Sequence, residues 1–157
     1  MNPARKVTAN TTRKTVLDNE FNASIDRVPP PLPFRANFSR VNYPGQGDYL
    51  TITSTYRNPG DDHIKSIKVI FREDPVDDTP QRSSTAQVFY NDTAEDPPSE
   101  YYSSTVDTDV LYDPDKRTIS GVINAHVTDG LENPKQHGLQ LEFNLVAEPS
   151  VRLTSVK

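Results

Sequence analysis

Four aspartates fall within the stretch "DTDVLYDPD": Asp107, Asp109, Asp113 and Asp115. Clustered carboxylates supply the hard oxygen ligands that calcium takes, so this is the candidate metal loop and calcium the one cofactor suggested. A simpler account uses the same residues. "VLYDPDKRTISGVI" scans as strand, type I turn, strand, with Asp113 at the first turn position bonding the backbone and Pro114 at the second with its φ already set. Asp107 and Asp109 then lie about six residues from the hairpin tip, roughly 20 Å along a strand, too far to share an ion with it. The turn is the expected outcome, and with it no cofactor.

A second cluster surrounds "NDTAEDPPSE". Tyr90, Tyr101 and Tyr102 flank this loop, and Asp92 and Glu95 lie within it. Tyrosine brings a large apolar face and one polar handle at low entropic cost, so the set is a candidate ligand-binding rim, aromatic and acidic, for a protein or glycan partner.

Other chemistry has no support in the residue pattern. His63, His126 and His137 stand in three separate segments without metal-ligand spacing, and the chain has no cysteine, so no zinc site of the usual kinds is expected. The G-x-S-x-G elbow of serine hydrolases is absent, and "PGQG" lacks the lysine and flanking strand and helix of a phosphate loop. Enzyme is the least supported class. Net charge is −5, and because residues 1–30 carry five basic and three acidic side chains, the remainder is at −7. An acidic body disfavours nucleic acid, whose binding depends on Lys and Arg neutralising phosphates.

The elements that would position these residues are strands. Fourteen prolines and an apolar set dominated by Val, Ile, Tyr and Phe favour pleated structure and turns over helices. "DYLTITSTY" places Leu50, Ile52 and Tyr56 on one side. "HIKSIKVIF" places Ile67, Val69 and Phe71 on one side and Ile64 and Ile70 on the other. "RNPGDD" between them is a hairpin turn. "TAQVFY", "YYSSTV", "TDVLYD" and "TISGVINAHV" read as further strands, and in "GLQLEFNLV" Leu139, Leu141, Phe143 and Leu145 alternate strictly with polar residues. Gly121, inside an otherwise good strand, marks a bulge or a close approach of another backbone. "EDPVDDTPQRSS" (73–84) is a long polar loop, and "SVRLTSV" near the C-terminus an edge strand or a frayed end.

Before this region, residues 1–35 read as a flexible leader and proline-rich spacer. Val16, Leu17, Phe21 and Ile25 fall at near-helical spacing in an otherwise polar stretch, and "RVPPPLPF" should extend as polyproline II. The expectation is therefore all-β: an antiparallel β-sandwich of seven to eight strands over 36–157, with a closed β-barrel as the alternative. For function, the first expectation is a non-catalytic interaction module contacting a protein or glycan partner through end loops and the Tyr-rich acidic rim. The alternative is a carrier of a small hydrophobic ligand in a barrel interior lined by Ile67, Val69, Phe71, Leu139, Leu141 and Phe143. No membrane span or signal peptide is visible, which makes the cytoplasm the default compartment, and nothing sets an oligomeric state.

Overall fold

The computed structural model describes residues 19–75 and 86–147. Nine strands account for most of them: β1 (Glu20–Ile25), β2 (Leu32–Pro33), β3 (Arg35–Tyr43), β4 (Gly47–Arg57), β5 (Ile64–Phe71), β6 (Ala86–Asp92), β7 (Glu100–Asp113), β8 (Thr118–Thr128) and β9 (Gln136–Val146). All belong to one antiparallel sheet in the order β2-β1-β9-β8-β7-β6-β5-β4-β3. Among the described residues no helix is long and apolar enough to cross a membrane.

From β3 to β9 the chain is a meander, each strand pairing with the next. The turns use the residue chemistry that the sequence implies. Asn58 accepts from the Gly60 amide at 3.0 Å, and Asp113 Oδ1 accepts from the amides of Asp115 and Lys116 at 3.0 and 3.1 Å. The strict alternation of β9 buries Leu139, Leu141, Phe143 and Leu145, none more than 4% exposed. Ile70 is also buried, at 8%, although it lies on the opposite face of β5 from Ile67, Val69 and Phe71.

Two predicted strands, "YYSSTV" and "TDVLYD", are one continuous β7, with a register shift between Ser103 and Thr105. The irregularity changes which parity faces inward: Tyr101 before it and Val106, Thr108 and Val110 after it are all buried. Without the extra residue, one half of the strand would turn its apolar side to water.

The all-β class stands, and of the two architectures the single sheet fits the barrel alternative. It curls until its ends approach. The β3 residue Phe38 packs edge-on against Tyr112 of β7, ring centroids 6.1 Å apart, and the Phe34 amide donates to the Phe21 carbonyl at 2.8 Å where the chain passes from β2 to β3. One core fills the interior.

The leader expected over 1–35 ends earlier than that. Residues 1–18 lie outside the described residues, but β1 pairs with β9 from Glu20↔Asn144 to Ile25↔Leu139. Phe21 stacks on Phe143 at 5.8 Å and tilts against Phe34 at the same distance. Inward positions of β1 are Phe21, Ala23 and Ile25, a period of two and not of a helix. The proline run does not extend as a spacer either: it reverses the chain between β1 and β2, which pair through Asn22↔Pro33 and Ala23↔Leu32. Of the expected 73–84 loop, residues 76–84 lie outside the described residues, as does the C-terminal "SVRLTSV".

Gly121 faces Val110 of β7 at φ +147°, where an added Cβ would meet the Asp109 carbonyl oxygen and sit 2.8 Å from the Val110 Cα. Both the conformation and the contact exclude a side chain. Gly121→Ala is therefore expected to destabilise the protein by about 3 kcal/mol or more, read as a lower urea midpoint, while Ser120→Ala stays within about 0.5 kcal/mol. Deleting residues 1–30 removes β1 and bares β9, so the truncated chain should lose its cooperative thermal transition in circular dichroism.

Candidate functional site

The two clusters singled out by sequence have different fates. Alternation along β6 turns Ala86, Val88, Tyr90 and Asp92 inward, and pairing of Tyr90 with Tyr101 across β6 and β7 brings the two rings to 5.7 Å. Tyr90 is 3% exposed and Tyr101 1%, so neither offers a contact face, whereas Tyr102 is 49% exposed. Burial pushes both inward phenols well above the usual tyrosine range, and Tyr101 is raised further by its bond to Glu95.

The acidic members of this cluster are engaged in hydrogen bonds. Tyr101 donates its hydroxyl to Glu95 Oε1 at 2.7 Å, and Glu95 Oε2 lies 3.0 Å from His137 Nε2. The other ring nitrogen of His137 is 2.7 Å from Asp26 Oδ2, while the Gly138 amide donates to Asp26 Oδ1 at 2.9 Å. His137 also stands edge-on to both tyrosine rings, 4.7 Å from Tyr101 and 5.4 Å from Tyr90. The result is a line from Asp26 through His137 and Glu95 to Tyr101. It joins the β1–β2 connection, β9 and the β6–β7 loop at one end of the barrel. Asp92 is held separately by Lys65 at 2.6 Å and by the Ala94 amide at 2.9 Å. Tyr90, Tyr101 and Glu95 thus join one network with His137 and Asp26, partners that no local sequence pattern reveals.

The aspartate cluster does not gather. Asp107 and Asp109 lie on the outer face of β7, opposite Asn124 and Val122 of β8, and Asp113 caps the hairpin turn with Asp115 beside it. Among the described residues no group of three or more His, Cys, Asp or Glu side chains is placed to hold a metal ion.

A feature that the sequence does not announce is a groove of about 570 Å³ on the outer face of β3 to β7. Register aligns two polar rows across these strands. One runs Arg35, Thr55, Ser66, Asn91, Glu100, and the other Asn37, Thr53, Lys68, Phe89, ending at Tyr102. Each member is an ordinary outward residue of its own strand. Four interstrand gaps make the rows roughly 19 Å long. Phe89 and Ile70 supply the apolar part, and Lys68 Nζ stands 6.0 Å from the Phe89 ring centroid. Hydroxyls, amides, aromatic rings and three charges, those of Arg35, Lys68 and Glu100, are thus brought together on this face.

Ile67, Val69, Phe71, Leu139, Leu141 and Phe143, the residues expected to line a ligand cavity, are between 0% and 4% exposed and pack in the same core cluster.

No family model, curated protein or solved structure matches the chain.

Two carboxylates give the fold a pH dependence. Burial acts to raise both, but bonds from His137 and the Gly138 amide bring Asp26 below the usual carboxyl range, and bonds from Lys65 and the Ala94 amide do the same for Asp92. A carboxyl depressed in the folded state stabilises fully above its unfolded pKa of about 3.9 and loses that contribution as pH falls below it. Urea midpoints measured from pH 6 to pH 2 should decline below about pH 4, and the double variant Asp26→Asn, Asp92→Asn should start lower and decline less steeply.

Proposed function

We propose that this protein is a non-catalytic binding module whose recognition surface is the groove across β3 to β7. The supporting observation is the groove itself: a concavity five strands wide, with polar side chains in register and a half-buried aromatic ring among them. The strands beneath it pair with one another from β3 to β7, so a partner lying across them would meet side chains first. The filled interior speaks against a carrier of small hydrophobic ligands, and the closed Tyr90–Tyr101–Glu95–His137 cluster moves the contact surface from the acidic rim to this neighbouring face, with Tyr102 at its margin.

The test is to probe a glycan array and a peptide array with the wild-type chain and with the double variant Phe89→Ala, Asn91→Ala. Both changes are on the outer face, so the melting temperature should shift by only a few degrees. Partners retained by the wild type should be lost by at least tenfold in the variant. Binding that ignores the double substitution would end the proposal.

A further inference from the structure

We infer that the groove takes an extended acidic glycan, a chain of sugars bearing uronate carboxylates. This rests on the groove being the recognition surface. Three observations select the occupant.

The first is what the groove presents. Extended peptides commonly dock by adding a strand to a sheet edge, using main-chain hydrogen bonds. Here the ligand would lie across strands whose backbone groups already bond one another, and where the sheet's ends meet, the Phe34 amide is bonded to Phe21. A peptide laid there would have its own amides to satisfy. Thr53, Thr55, Ser66 and Asn91 instead offer groups that both donate and accept, which is the character of a sugar hydroxyl.

The second is the ring. Phe89 lies mid-row with Tyr102 next to it across the β6–β7 pair, giving the groove an apolar face against which the carbon face of a sugar ring can pack.

The third is charge. The strands differ in charge: β3, β4 and β5 carry Arg35, Arg40, Arg57, Lys65 and Lys68 against one acid, Asp48, whereas β1, β7, β8 and β9 contain Glu20, Glu100, Asp107, Asp109, Asp113 and Glu142 and no Lys or Arg at all. The groove lies mainly on the basic side. Arg40 and Lys65 are paired with Asp74 and Asp92, but Arg35 and Lys68 form no ion pair with a described residue. A guanidinium and an ammonium on one stretch of groove match carboxylates along a chain, and Glu100 at the β7 end sets a direction by repelling them there.

The experiment is calorimetric titration of the full chain with hexagalacturonate, hyaluronan hexasaccharide and the neutral cellohexaose. At least one uronate chain is expected to bind ten times more tightly than cellohexaose, with affinity falling as salt rises. Lys68→Glu should weaken it at least tenfold, and Phe89→Ala should weaken it too. Asp107→Ala, farther along the outer face of β7 and outside the groove lining, should leave it unchanged. Melting curves of each variant report whether the fold is intact, and if Lys68→Glu does not fold, Lys68→Gln with the salt series replaces it. Equal binding of cellohexaose, or indifference to Lys68, overturns the acidic-glycan assignment and leaves the groove as a binding surface. Failure of both uronate chains to bind at millimolar concentration, or a groove-dependent partner found only on the peptide array, overturns it likewise. Binding unaffected by Phe89→Ala and Lys68→Glu together sinks the groove itself.

Discussion

A sheet with no helix to lie against must cover its own apolar face. Every strand from β3 to β9 puts alternate side chains on one side, and the only apolar surface of matching extent among the described residues is the same side of the same sheet. Curling is the consequence, and it brings Phe38 to Tyr112, Phe34 to Phe21 and Phe21 to Phe143. Burial of large aromatic and aliphatic side chains contributes about 1.5–3 kcal/mol each before ordering costs, so the closure has a substantial driving force. Strand β1 is what makes it work. Coming from the start of the chain to pair with the last strand, it extends the covered face past β9 and leads directly, through Phe34, into β3.

Polar interactions are fitted around that closure. At one end of the barrel the line from Asp26 to Tyr101 ties together segments distant in sequence, and two phenols that burial would otherwise leave costly sit next to a histidine ring and a carboxylate. Such a network is rigid because each member is already satisfied by another. The outer groove is built differently. Its side chains stand on strands held from behind by the core, so their spacing is set by the sheet.

How much of this could be read from residues alone follows from the range of the interactions. Strand β9 was legible because Leu139, Leu141, Phe143 and Leu145 repeat without interruption, and the hairpin at Asp113 because a turn is decided by neighbours. Strand β1 was not. Ala23 is a weak apolar mark between Phe21 and Ile25, and Val16 and Leu17 before it suggest another spacing; its strand character comes from a partner more than a hundred residues away. Sandwich and barrel share the same alternation and differ only in whether one sheet closes. For the site, which side of a strand each tyrosine and acid occupies depends on parity, and the β7 irregularity shifts parity partway along. Groove residues such as Thr53, Ser66 and Phe89 become neighbours only once register is known.

The pairing between β6 and β7 is short. Three residue pairs join them, against eleven between β8 and β9, although β7 is the longest strand in the sheet. Local opening costs least where the fewest backbone bonds and buried contacts must be given up together. The β6–β7 junction is thus a weak line in the wall, and breathing along it would change the width of the groove that crosses it while leaving each half internally intact.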